Sequence, residues 1–204
     1  MRIGIDARKL HDFGIGTYIR NLLRQLARID RSSEFVLFCR PQDVPTLASL
    51  GDNFRPVAEP AGNYSLAEQL RIPIALKRAG VTLFHATHYV LPPLVRCRSV
   101  VTIHDCIHLM FPQYLPSRLA LGYARASMAY ATRRATRILT VSESSKRDIM
   151  RFFGTSADKI DVIYNAFDER FSVQPREEDV IRVRDRYQLH DPFVLYAEIG
   201  RAHV

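Results

Sequence analysis

Short apolar runs of four to six residues recur along this chain, with longer helix-patterned stretches between them. Residues 2–6 (RIGID), 34–39 (EFVLFC), 82–85 (TLFH), 99–103 (SVVTI), 137–141 (RILTV) and 161–164 (DVIY) read as strands. Strands that alternate with helices are the signature of βαβ units and a parallel sheet. Right-handed crossovers then place helices on both faces. The expected fold class is α/β, a Rossmann-like doubly wound parallel sheet.

The helical stretches carry their own punctuation. Gly14-Ile15-Gly16 opens the first, in which Tyr18, Leu22, Leu23, Leu26 and Ile29 make an amphipathic face. Residues 66–79 form the next, with Ser65 as N-cap and Gly80 as the stop; Pro73 inside it should kink or split the helix. Residues 117–134 follow Pro116, and Ser142 caps a helix to Phe153 with Glu143 in its first turn.

Three regions result. Residues 1–165 are the expected Rossmann-like domain. Residues 166–192 are charged and read as an interdomain linker with one exposed helix. Residues 193–204 begin with the apolar run Phe193-Val194-Leu195-Tyr196, a strand with nothing after it to pair with.

Composition narrows the class. Apolar residues make 47% and charged residues 25%, the balance of a soluble globular protein. No run of 18 apolar residues offers a membrane span, and Asp6 comes too early for a signal peptide. Cys39, Cys97 and Cys106 lack metal-type spacing and read as reduced thiols of a cytoplasmic protein. The net charge of +8 comes mostly from scattered arginines. It fits an anionic partner and equally an arginine-favouring codon bias. No basic helix interleaved with aromatics appears, which argues against nucleic acid.

In a doubly wound sheet, ligands bind beyond the carboxyl ends of the strands. The polar residues there are Asp6-Ala7-Arg8, Gly14-Ile15-Gly16, His85-Ala86-Thr87-His88, His104-Asp105, Ser142-Glu143-Ser144 and Asn165. Gly14 and Gly16 at a helix start could let an anion meet free N–H groups, or could simply make a tight turn. Ile19 breaks the dinucleotide fingerprint, so NAD binding is rejected. His104 and Asp105 are adjacent and should face opposite ways, one to a ligand and one to brace the loop; a histidine satisfied by backbone is the competing reading. His85, His88, His104 and His108 suggest a metal, but their spacing on extended backbone does not put two imidazoles on one face, so no metal site is expected. No G-x-S-x-G elbow is present. The basic helix at 117–134 covers the sheet or lies on a membrane surface.

Four stretches together resemble one family: RIGIDARKL, GIGTYIRNLL, VTIHDCIHLMFPQYLP and RILTVSESSKRDIMRFFGTSADKIDVIYNAFD. They are similar to the N-terminal domain of the retaining glycosyltransferases of family 4, with the GT-B fold, whose bacterial members often act as mannosyltransferases in polysaccharide assembly. The resemblance runs to about Phe171. TIHD followed by Phe111-Pro112, and TVSESSKRDI followed by VIYNAFD, are its most specific parts. Ala166 departs from the glycine usual there.

The resemblance implies hexose transfer with retention, from a nucleotide-sugar donor to a saccharide or lipid-linked acceptor, with no metal or other cofactor. It implies that Gly14 and Gly16 approach the donor diphosphate, that His104 hydrogen-bonds the transferred sugar, and that Asp105 supports its loop. The acceptor would lie near Arg8, Tyr18 and His88. The enzyme would be cytoplasmic, with peripheral contact at the inner face of the membrane. The cations and acidic residues that hold the nucleotide would belong to a C-terminal domain, so this chain alone is expected to be inactive. The final residues Glu198 to Val204 (EIGRAHV) match what a common sequencing adapter encodes, and are expected to be an artefactual tail. Two alternatives stand beside this: a short binding subunit that pairs with a donor-binding chain, and a GT-B sugar-nucleotide epimerase fragment.

Overall fold

Residues 1–167, 169–189 and 191–194 are described by the computed structural model. The chain divides into two compact units, Met1–Asn165 and Ala166–Val204. The first contains, in order, β1 (Arg2–Asp6), α1 (Phe13–Ile29), β2 (Glu34–Cys39), α2 (Val44–Ala48), β3 (Phe54–Ala58), α3 (Leu66–Arg78), β4 (Leu83–Ala86), β5 (Arg98–Thr102), α4 (Ile107–Met110), α5 (Arg118–Arg134), β6 (Arg137–Thr140), α6 (Glu143–Phe153) and β7 (Ile160–Val162).

The seven strands make one sheet in the order β3-β2-β1-β4-β5-β6-β7, and each neighbouring pair is parallel. The fold is therefore the Rossmann-like α/β class. From β1 the chain builds outward through β2 to β3, then returns to add β4 on the other side of β1. The strand order reverses between β1 and β4, which is where such sheets open a crevice at their carboxyl ends.

Both faces of the sheet are covered, as period-two alternation along β2 shows. Phe35, Leu37 and Cys39 pack with Ile19 and Leu23 of α1. Val36 and Phe38 belong to a second core with Ile72 and Leu76 of α3 and Met128 of α5. All of these side chains are buried. The three cysteines are free.

Two local expectations are corrected. Strand β3 (FRPVA) is absent from the sequence reading because Arg55 and Pro56 interrupt its apolar run. It survives as an edge strand, paired with β2 alone, where a missing N–H is tolerated. Pro73 does not split α3, which runs unbroken from Leu66 to Arg78. Ile72 and Leu76, on either side of the proline, are locked in the core and hold the two halves together. The ends of α3 follow their caps. Ser65 Oγ accepts the Glu68 N–H at 3.2 Å. Gly80 takes φ +65° and donates to Lys77 O, while Val81 donates to Leu76 O, the paired bonds of a Schellman stop.

In the second unit, α7 (Glu177–Tyr187) has Glu177, Glu178 and Asp179 in its first turn and Arg184 and Arg186 in its last, the order that complements a helix dipole. Phe193 and Val194 are not in a strand. The remainder of the strand expected from Phe193, and the closing EIGRAHV, lie outside the described residues.

Candidate active site

The crevice rim is built where β1, β4, β5 and β6 end, and side-chain hydrogen bonds tie these ends together. Thr87 Oγ1, just past β4, donates to Asp6 O of β1 at 2.7 Å. His104 Nε2, two residues past β5, donates to Thr87 O at 3.1 Å. Thr140 Oγ1 of β6 donates to Ile103 O at 2.7 Å, and Ser145 Oγ of α6 donates to His104 O at 2.9 Å.

His104 is thus held from three sides. Its ring meets Tyr18 of α1 edge-on, with centroids 5.0 Å apart and planes at 87°. Tyr18 Oη is hydrogen-bonded to Thr102 Oγ1 at 3.2 Å, and His85 Nε2 reaches the same hydroxyl at 2.8 Å. Burial lowers the His104 pKa, and the Thr87 carbonyl opposes that only in part. The imidazole is therefore neutral at pH 7, with its Nε2 proton fixed by Thr87. Nδ1 has no hydrogen-bond partner among the described residues, which leaves it as an acceptor on a half-buried ring.

Asp105 faces solvent, and its Oδ1 accepts the Ile107 N–H at 3.0 Å at the start of α4. It braces the loop beside His104, and the two side chains are not bonded to one another.

Gly14 and Gly16 differ. A Cβ on Gly16 would collide with the Leu10 carbonyl, so the lack of a side chain there is required by the chain's own packing. Gly14 is exposed, and a Cβ there would meet nothing within 4 Å. The first turn of α1 has no acidic residue, and Asp12 does not cap it with its side chain. Asp12 Oδ2 instead takes Lys9 Nζ at 2.8 Å. An anion approaching Gly14 would meet uncapped amides and the positive end of a 17-residue helix.

Arg8 is not available to an acceptor. Its side chain is 2% exposed and fully engaged: Nε and an outer nitrogen bind the two Asp6 oxygens at 2.9 and 2.6 Å. The same outer nitrogen takes Glu68 Oε1 at 2.5 Å. Burial opposes its charge, but the two carboxylates outweigh that and raise its pKa. Arg8 braces the rim from beneath.

His88 does face the rim, half-buried, with Nε2 hydrogen-bonded to Tyr64 Oη at 3.1 Å. Burial and the nearby Lys9 charge drive its pKa far down, so it too is neutral. The structure therefore brings Tyr18 of α1 against His104, with Gly14 one helical turn before Tyr18, Asp105 next to His104 in the chain and His88 next to Thr87, while Arg8 is held by Asp6 and Glu68 and Gly16 is packed against Leu10. Thr102, Ser145 and Glu68 are supporting residues that sequence reading missed, whereas Thr87 stands in the polar run 85–88 that it named. Only the serine-rich start of α6 (SESS) gave a signal. Among the described residues, no cluster of three or more His, Cys, Asp or Glu could hold a metal ion, and no helix is long and apolar enough to cross a membrane.

Comparison with known proteins fits this architecture. The family model for Glycosyltransferase Family 4 matches residues 14–171. The chain is 26% identical to the O-antigen chain mannosyltransferase RfbU of Salmonella typhimurium, over 57% of this chain and 31% of that one. It is 27% identical to O-antigen chain mannosyltransferase B of Escherichia coli, over 72% of this chain and 42% of that one. It thus spans well under half the length of these relatives. Among solved structures, Anabaena HepE in complex with UDP-glucose superposes with a TM-score of 0.60 at 17% identity, covering 95% of this chain and 51% of that one. Sucrose-phosphate synthase from Thermosynechococcus elongatus gives 0.65 at 16% identity, covering 94% and 53%. At such identities these structures speak to the fold, and the family match carries the assignment: this chain belongs to glycosyltransferase family 4.

Proposed function

We propose that this chain is the acceptor-side half of a glycosyltransferase that moves a hexose, mannose by the names of its relatives, from a nucleotide sugar to a saccharide or lipid-linked acceptor, with retention and without a metal. The observation that carries the reading is His104, pinned just past β5 by the Thr87 carbonyl, with Tyr18 of α1 against its ring and no partner at Nδ1 among the described residues. A neutral imidazole in that position accepts a hydrogen bond from a sugar hydroxyl at Nδ1 without bringing a cation that would compete with the leaving diphosphate's own counter-charges. Departure of the nucleoside diphosphate builds negative charge, which uncapped amides at Gly14 are oriented to stabilise.

Support for the donor class comes from HepE, whose structures are in complex with UDP, glucose and UDP-glucose. A cytoplasmic membrane-face location draws support from the exposed stripe Leu66, Leu70 and Ile74 along α3, which ends in Lys77 and Arg78. Apolar side chains flanked by cations suit an anionic lipid surface.

The 204-residue chain, titrated calorimetrically with GDP-mannose and with UDP-glucose, is expected to bind each weakly or not at all, because the nucleotide-holding groups lie in the other half. Low-micromolar binding would overturn the half-site reading. With a donor-binding half supplied, His104→Ala should lower kcat/KM roughly tenfold to a hundredfold, the cost of one lost hydrogen bond in a closed site. Product of inverted anomeric configuration by NMR would refute retention.

A further inference from the structure

Tyr64 has φ of 62°, a left-handed backbone that a bulky side chain adopts only where its surroundings over-determine it. The Tyr64 N–H donates to Glu68 Oε2 at 2.7 Å, and the other oxygen of that carboxylate holds Arg8 at 2.5 Å. Both charged side chains are buried, at 2% and 5% exposure. A glycine would make this turn without strain. What the tyrosine adds is its ring.

That ring is the centre of an aromatic corner assembled from four separate segments. It meets Tyr123 of α5 at 6.2 Å and 85°, and His88 after β4 at 5.4 Å and 76°. Lys9, after β1, holds its ammonium 4.8 Å from the ring centroid. Gln69 of α3 reaches Tyr123 Oη at 3.4 Å. Tyr64 and Tyr123 nevertheless stay 45% and 37% exposed. The corner adjoins the catalytic rim through one peptide, since His88 directly follows Thr87, whose carbonyl holds His104.

We propose that Tyr64 and Tyr123 form a saccharide subsite that takes a neutral pyranose ring of the acceptor. The C–H face of a pyranose is apolar with positive edges, which complements the negative face of a tyrosine ring. His88, Lys9, Asp12 and Gln69 surround the corner with the polar groups that a sugar's hydroxyls need, the mix of apolar wall and few polar groups typical of small-molecule sites. Glu68 and Arg8 act as positioning residues that fix Tyr64 in its turn. The proposal rests on the glycosyltransferase reading and deepens it: the acceptor is recognised by a sugar ring, whether that sugar is free or lipid-linked.

NMR titration of the 204-residue chain with methyl α-D-mannopyranoside and with mannobiose should shift the ring signals of Tyr64 and Tyr123. Tyr64→Gly should abolish the shifts while keeping or raising the melting temperature, because glycine relieves the turn, and Tyr64→Phe should retain them. Tyr123→Ala is the second variant should Tyr64→Gly fail to fold, and it should also abolish the shifts. Shifts that survive both ring deletions, or no shift at either tyrosine, overturn the subsite. In a transfer assay with the donor half supplied, Tyr64→Gly should raise the acceptor KM roughly three- to tenfold, the worth of one aromatic contact, with donor KM unchanged. An unchanged acceptor KM in an active enzyme sinks the subsite and leaves the transferase reading standing. Absence of transfer by the wild type alongside intact sugar shifts sinks the transferase reading and leaves the subsite.

Discussion

Replacing Glu68 with alanine should destabilise the first unit by about 3 kcal/mol, and the magnitude follows from what the carboxylate touches. One oxygen faces Arg8 at 2.5 Å with both side chains almost fully out of water. Removing one partner of a buried pair costs about 3–5 kcal/mol, because the remaining charge is left uncompensated. Here Asp6 still neutralises Arg8, which places the cost near the lower end. The other oxygen accepts the Tyr64 N–H, and losing that bond costs about 1 kcal/mol. Release of the left-handed Tyr64 backbone returns a similar amount, about 1 kcal/mol. For a unit of this size, ~3 kcal/mol lowers the melting temperature by about 6–12 °C. Thermal unfolding followed by circular dichroism at pH 7 reads it directly. The double variant Arg8→Met, Glu68→Met should cost at least ~1 kcal/mol less than the two single changes summed, because it removes both charges together. A Glu68→Ala shift under about 3 °C, or strict additivity in the cycle, would refute the argument and free Arg8 to meet an acceptor.

Two further outcomes follow from the rim. His85 is buried with its pKa lowered to about 4 by burial and then by His104. The unfolded chain takes up that proton near pH 6.5, so the fold should lose stability as pH falls from 6.5 towards 4, by about 3 kcal/mol in full; denaturant midpoints of His85→Gln that fall just as steeply as wild type would contradict this. Gly16→Ala forces a methyl onto the Leu10 carbonyl and should cost about 2 kcal/mol, whereas Gly14→Ala enters open space and should be neutral or stabilise by up to about 1 kcal/mol, a contrast that melting temperatures would reveal.

The sheet was legible wherever a strand is apolar throughout, as in EFVLFC, and illegible where it is not. Arg55 and Pro56 hide β3 because an edge strand needs neither an unbroken apolar run nor every N–H. The rim was legible from the rule that ligands gather at carboxyl ends, which placed His104, His88 and Gly14 correctly in the fold. Arg8 was expected near the acceptor, and its enclosure was not legible because its partner Glu68 lies 60 residues away, and no local spacing announces such a pair. His85 read like its neighbours at 88 and 104, since only the packed sheet decides which imidazole is enclosed. Tyr64 gave no signal at all, because left-handed turns are read from glycine and asparagine. Its conformation is imposed by Glu68, not by its own preference.

The hydrogen-bonded lip that links Asp6, Thr87, His104 and Ser145 crosses four adjacent strands. Neighbouring strands stand about 4.8 Å apart, so the lip is a ruler roughly 14 Å long, graduated by the sheet itself. A loop replaced at one graduation can exchange the chemistry offered there while its neighbours keep their spacing. A scaffold of that kind can be retuned from one ligand to another one notch at a time.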